Sequence, residues 1–298
     1  MLTLSALYIY PIKSLGGISV SEAIVNEKGF RYDRRFMLVT PSGGFMTQRT
    51  NHHMALIDVA VDRSRPGGPD ETLHIWHRDQ PDNVLTLPLT VLPNASDETI
   101  FVSIWDDENL RATVVSPEAD RWFSDALNKP CRLVFMPDST RRPVDPAYDR
   151  RNNPGHPTAV SFADGYPYLL IGQASLDDLN QRLPQSIGMG RFRPNMVVSG
   201  SLPYDEDTWE QFRIGEVNLY GVKPCGRCVV TTIDPATGQK GCEPLHTLAS
   251  YRQWKHKILF GQNVLANAKP GGLLRVGQPV EIVSRVEPWL EATVTVVQ

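Results

Sequence analysis

Apolar and polar residues alternate from the first turn of the chain. Leu2, Leu4, Ala6, Tyr8 and Tyr10 share one side of an extended segment, which predicts a first strand. FMLVT and FMTQR flank the turn PSGG, and MALIDVAVD and LTLPLTVL follow with turn residues between them. The first third therefore reads as a small β-barrel or sandwich. The period changes at SPEADRWFSDALNKP, where Ser116 can cap a helix, Pro117 suits its first position and Pro130 stops it. Trp122, Phe123, Ala126 and Leu127 would form its apolar face.

The second half mixes the two periods. YLLIG predicts a strand, ASLDDLNQRL a helix with Ser175 and Asp178 in capping-box spacing, and NMVVS another strand. GEVNLYGV, CVVTTID, VLANA and LLRVGQPVEIV return to β structure. Residues 138–160 are rich in Pro, Arg, Asp and Asn without an apolar period, the pattern of a long loop that serves as a linker or as part of a site. The expected fold class is α+β, mainly β with a few helices. The expected division is a β-barrel-like domain over 1–116, a second β-barrel domain over 117–284 and a tail over 285–298.

Composition narrows the function classes. A chain of 298 residues exceeds one ordinary hydrophobic core, which favours two domains. Its formal net charge of −3 gives no reason to propose nucleic acid, so any anion must be caught by a local cluster. The opening segment lacks the basic region of a signal peptide, and no stretch approaches the roughly 20 apolar residues of a membrane span. Four cysteines, two of them in a CxxC, fit a reduced compartment, and the cytoplasm is the expected location.

Chemistry concentrates in KPCGRCVVTTIDPATG, residues 223–238. Pro224 and Gly226 predict an irregular crossing between two strands, and Lys223 and Arg227 would favour a thiolate beside them. Four readings of Cys225 and Cys228 stand open at this point. They are buried structural residues, a closed zinc site with Cys242 and His246, a dithiol redox pair, or a single thiolate ligand to a redox-active metal held mainly by a cofactor. The last needs an anion-binding site elsewhere. Three segments offer one: YPIKSLGG with Lys13 and Ser14, YDRRF with Arg34 and Arg35, and RFRPN with Arg191, Arg193 and Asn195. Thr231, Thr232 and Asp234 read as strand and closing turn, and Cys131 as core.

These segments stand in the order found in one family. YPIKS, GFRYDRRFMLV, FMTQR, SFADGYPYLLI, ASLDDLNQRL, FRPNMVVSG, KPCGRCVVTTIDPATG, EPLHTL and FGQN together resemble the MOSC superfamily. The likeness is to its members with an N-terminal MOSC β-barrel domain, such as bacterial proteins of resistance to N-hydroxylated bases and mitochondrial amidoxime-reducing components. It runs from about residue 4 to residue 284. The resemblance implies a molybdenum cofactor whose metal is held by the second cysteine of the motif, Cys228, with Cys225 a dispensable neighbour. It places cofactor contacts on Lys13, Ser14, Arg35, Arg193, Asn195, Gly226 and Arg227, and sets Asp164 near the metal with a catalytic role.

The implied activity is two-electron reduction of N-hydroxylated compounds such as hydroxylamines, amidoximes and N-hydroxypurines. The implied partners are those substrates and an external electron donor, such as a ferredoxin, a flavodoxin or a cytochrome b5-like protein with its reductase. No cysteine follows Cys242, so the iron–sulfur domain found at the C-terminus of some relatives is not expected in this chain. Two alternatives predict other chemistry: a non-catalytic cofactor-binding or sulfur-carrier protein, and a structural zinc protein.

Overall fold

The computed structural model describes residues 1–62, 71–90, 98–149, 157–267 and 271–290. Most of the expected loop at 138–160 is described, but 150–156 lies outside, as do residues 291–298 of the expected tail. The class is α+β and dominated by strands, with three α-helices among the described residues, Pro117–Ala126, Gln173–Arg182 and Leu245–Ala249.

The largest sheet joins both ends of the chain. Its order runs Val280–Arg285, Trp209–Ile214, Val217–Arg227, Lys257–Asn267, Tyr168–Gly172, Met196–Ser199, Thr3–Ile9 and Ile18–Val20. Gln253–Trp254 pairs additionally with Lys257–Asn267. Among the described strands of this sheet, only Tyr168–Gly172 and Met196–Ser199 pair in parallel, with the helix Gln173–Arg182 lying between them in sequence. The expected alternation is not kept along Thr3–Ile9: a register shift between Leu4 and Ala6 puts Leu4, Leu7 and Ile9 in one buried cluster with Trp209, Phe212 and Val264, while Ala6 and Tyr8 pack against another. The first strand expected from the sequence is thus present, and it is paired with residues nearly two hundred positions away.

Glu22–Asn26 pairs with Gly29–Phe30 and Gly272–Arg275 in a small sheet, and two further sheets carry the rest of the first half. Ile57–Asp62, Thr72–His77 and Gln80–Pro88 form one, and Phe36–Val39, Arg132–Phe135, Asp107–Val114 and Thr99–Ile104 form the other. The helix Pro117–Ala126 begins as its sequence requires, with the Ser116 hydroxyl accepting from the Ala119 amide and Pro117 at its first position. It buries Ala119 and Phe123 with Leu133 and Cys131, so Cys131 is a core residue as expected.

Three later local expectations are corrected. The helix over ASLDDLNQRL starts at Gln173, directly from its strand, and Gly172 occupies the cap without a side-chain bond. Ser175 therefore lies inside the first turn, where its hydroxyl donates to Glu206 and accepts from the Tyr204 amide, while Asp178 accepts from Tyr204 and Arg182. The strand GEVNLYGV does not end before the cysteines. It runs on to Arg227, with register shifts between Gly221 and Lys223 and between Pro224 and Gly226. Val229–Thr232 is a 3-10 turn and not a strand, because the Thr231 and Thr232 hydroxyls donate back to the carbonyls of Cys228 and Val229.

Candidate active site

A cavity opens where the extended strand Val217–Arg227 meets the turns after Tyr10, after Met46 and after Phe192. Each wall is fixed by backbone pairing. The Lys13 amide donates to the Phe36 carbonyl at 2.8 Å, and the Arg34 amide to the Tyr10 carbonyl at 2.8 Å, which ties the YPIKS and YDRRF turns together. Asn195, only 1% exposed, joins them to the second half: its Nδ2 donates to the Tyr8 carbonyl, and its Oδ1 accepts from Arg34 and from the Leu169 amide. Gln48 closes the far side by donating to the Ser14 carbonyl at 2.6 Å.

Three lining residues adopt a left-handed backbone, Ser14 at φ 68°, Arg34 at φ 49° and Arg193 at φ 55°. Such conformations cost energy in residues with a Cβ, and they cluster where a binding surface must be held in shape.

Sequence-expected residues meet here. Lys13, Ser14, Asp164, Arg193, Asn195, Gly226, Arg227 and Cys228 all line the cavity, together with Cys225. Arg35 does not. Its Nη2 donates to the Met136 carbonyl at 2.6 Å and pairs with Asp138 at 2.7 Å, and its guanidinium stacks on Phe135. The preceding Arg34 lines the cavity in its place. Arg49, which the sequence reading did not single out, lines it too, and its Nη2 pairs with Asp164 Oδ2 at 3.0 Å.

Charge in the cavity is lopsided. Lys13, Arg34, Arg49, Arg193 and Arg227 face one carboxylate among the described lining residues, Asp164. Lys13 pairs with Asp164 Oδ1 and donates to the Phe162 carbonyl at 2.8 Å. Burial lowers the Lys13 ammonium to about 8, with Asp164 pulling it back up. Enclosure raises the Asp164 carboxyl, but Lys13 and Arg49 outweigh it and hold the group well below the usual carboxylate range. Its side chain remains 56% exposed to the cavity, so Asp164 is a reachable anion between two cations. Arg142 donates to the Asp164 and Ser161 carbonyls and fixes the loop beneath.

Arg193 and Arg34 both stack on Tyr10, at 4.3 and 4.2 Å from its ring centre. Burial brings the Arg193 guanidinium down to about 10. Its Nη2 is buried without a hydrogen-bond partner, and so is Nε of Arg227. Unpartnered buried cationic donors at the wall of a cavity call for anionic oxygens. The donor set accordingly fits a phosphate-bearing cofactor with a thiolate-liganded metal, where Cys228 offers the sulfur and Arg193, Arg227 and Lys13 the charge compensation. Gly226 lines the cavity with backbone alone, and a Cβ there would meet nothing closer than the Lys257 side chain at 3.6 Å, so the position does not require glycine.

The cation facing Cys228 is not the one expected. Arg49 interacts with both Asp164 and Cys228, which together keep its charge despite its burial. Lys223 instead lies over the rings of Tyr148 and Tyr166, at 4.0 and 4.9 Å, and Arg227 Nη1 donates to Cys225 Sγ at 3.2 Å. The zinc arrangement is not formed. Among the described residues no group of three or more His, Cys, Asp or Glu could share a metal ion, and Cys242 is exposed. Asp234 is structural, as expected, accepting from the Ala236 amide and pairing with Arg191.

Fold and site define a two-part MOSC protein. The sequence matches the MOSC N-terminal beta barrel domain over residues 1–130 and the MOSC domain over residues 157–281. It is 34% identical over 298 residues to mitochondrial amidoxime-reducing component 1 of Mus musculus, covering 95% of this chain and 83% of that protein. The Homo sapiens protein of the same name is 34% identical over 301 residues, with the same coverage of 95% and 83%. Molybdenum cofactor sulfurase of Oryza sativa subsp. japonica is 32% identical over 300 residues, covering 93% of this chain but 35% of that protein. The chain belongs to the MOSC family. No helix among the described residues is long and apolar enough to cross a membrane.

Proposed function

We propose that the protein is a molybdenum-cofactor-dependent reductase of N-hydroxylated compounds. The observation that carries this reading is the shared cavity of the Cys228 thiol, the unpartnered guanidinium atoms of Arg193 and Arg227, and the Lys13–Asp164–Arg49 ion triad. When bound, the cofactor supplies two-electron oxygen-atom transfer, converting R–NHOH to R–NH2 and water at the expense of two electrons and two protons. Cys228 would hold its metal, and Arg193, Arg227 and Lys13 its anionic groups. Asn195 holds Arg34 and the Phe192–Asn195 turn in register for that contact. Asp164 keeps Lys13 and Arg49 apart and oriented, and its ionised, reachable oxygens can accept a hydrogen bond from the substrate N–OH group.

The test is molybdenum content and turnover in protein made by a host that synthesises the cofactor. Wild type is expected to carry near-stoichiometric molybdenum and to reduce an amidoxime with reduced viologen as donor, and Cys228→Ser to lose both. Similarity to a molybdenum cofactor sulfurase supports a second reading, a carrier that binds or sulfurates the cofactor. That reading predicts molybdenum without turnover and a persulfide on Cys228, detectable by mass spectrometry.

A further inference from the structure

We propose that the groove on the outer side of the Lys223–Arg227 segment is the docking surface for a small acidic electron-carrier protein. The inference rests on the reductase reading, which consumes two electrons per substrate. The carrier's reduced centre supplies them, singly or as a pair, and is oxidised in return, while two protons come from solvent.

The groove is built by the strand pairing itself. Val217–Arg227 lies against Lys257–Asn267, with Gly226 opposite Leu259 and Arg227 opposite Ile258, and the chain folds back so that Trp254 pairs with Lys257. Lys255 turns the hairpin at φ 52° and sets its ammonium 4.3 Å from the Trp254 ring centre. Trp254 and Trp289 meet at 4.5 Å between centroids. The groove is lined by these rings and by Lys223, Arg227, His256 and Lys257, with no acidic side chain among its described lining residues.

Three features favour a protein partner of negative charge. The chain as a whole carries a net charge of −3, so the positive groove is a local concentration and not a reflection of composition. Two half-buried indoles beside the exposed ammonium groups of Lys255 and Lys257 have the anatomy of an interface, with aromatic anchors at the centre and charge at the rim. Gly226 and Arg227 line both this groove and the cavity of Cys228, so one thickness of backbone separates a docked carrier from the reacting centre. The stem of Lys257 covers Gly226, which puts an exposed cation directly over that thin wall.

The double variant Lys255→Glu/Lys257→Glu tests this on the cofactor-loaded enzyme, since both residues are exposed and neither lines the cavity. Turnover of benzamidoxime is followed with two donors, reduced methyl viologen and a reduced acidic [2Fe–2S] ferredoxin. The viologen rate should stay within about 2-fold of wild type, while KM for the ferredoxin should rise roughly 10-fold and lose most of its dependence on ionic strength. Trp254→Ala should also raise KM for the ferredoxin without changing the viologen rate. A double variant with wild-type KM and salt dependence for the ferredoxin would overturn the proposal. If wild type fails with viologen, the reductase reading falls, and docking is judged by calorimetric titration with oxidised ferredoxin. Binding that the double variant abolishes keeps the surface, and absence of binding to wild type removes it.

Discussion

Asp164 and Arg49 form an ion pair at 3.0 Å across 115 residues of chain, and the same arginine reaches Cys228. The pair fixes the position of one of the cations that line the cavity with that thiol. Asp164→Asn removes the charge that holds Lys13 and Arg49, leaving a nearly buried ammonium without its counter-ion. Because Asp164 is itself half exposed, the stability cost should be modest, about 1–2 kcal/mol in urea melts of the cofactor-free protein. The loss in turnover should be larger, roughly 10-fold or more, since the variant frees both cations from their set positions. A wild-type rate in a folded Asp164→Asn protein would remove Asp164 from the reaction.

Arg193 separates binding from stability. Its Nη2 is buried without a partner among the described residues, and its guanidinium lies 4.3 Å from the Tyr10 ring centre. Replacing it with methionine removes an incompletely satisfied buried cation and keeps apolar contact with the ring. Cofactor-free Arg193→Met should therefore match or exceed wild type within about 1 kcal/mol in thermal unfolding. Molybdenum bound by the variant should fall sharply. A large drop in stability instead would mean that Arg193 serves the fold.

Some of this was legible from residues alone. Ser116 and Pro117 announce their helix because capping is a local event, and the turn at Asp234 closes for the same reason. Cys131 follows from the apolar run it opens. The choice between Arg34 and Arg35 was not legible, since residue type is identical and direction depends on the left-handed backbone at Arg34. That conformation breaks the alternation by which neighbours on a strand are told apart. Arg49 lies in FMTQR, a segment recognised only as part of a series, and its importance comes from partners far along the chain. Ser175 shows the opposite error. Its spacing to Asp178 imitates a cap, but the strand before it runs straight into the helix and the buried Glu206 claims its hydroxyl.

Cys242 distinguishes the cavity from a zinc site. It is exposed, and its carbonyl, not its thiol, accepts the amide of His246. Cys242→Ser should change stability by no more than about 0.5 kcal/mol, the range of ordinary surface substitutions. The melting temperature of wild type should also be indifferent to a zinc chelator. Unfolding by the chelator, or by this substitution, would restore the metal-staple reading.

Lys13 gives the cavity a pH dependence with a definite sign. Burial brings its ammonium to about 8 in the folded protein, against an ordinary value of 10.5. Below about 8 both folded and unfolded chains hold the proton, and the cost of a buried charge is present in full. Between that value and 10.5 the unfolded chain binds a proton that the folded chain has lost, so this residue makes stability rise with pH. Anion capture runs the other way. The charge that attracts a phosphate is lost above about 8, where an ordinary lysine would keep it. Loading of cofactor-free protein, read as bound molybdenum, should therefore weaken as pH rises through that value. Lys13→Met should load poorly at every pH and show a flatter profile. Two profiles of the same shape would assign the titration to another group and leave Lys13 a structural cation.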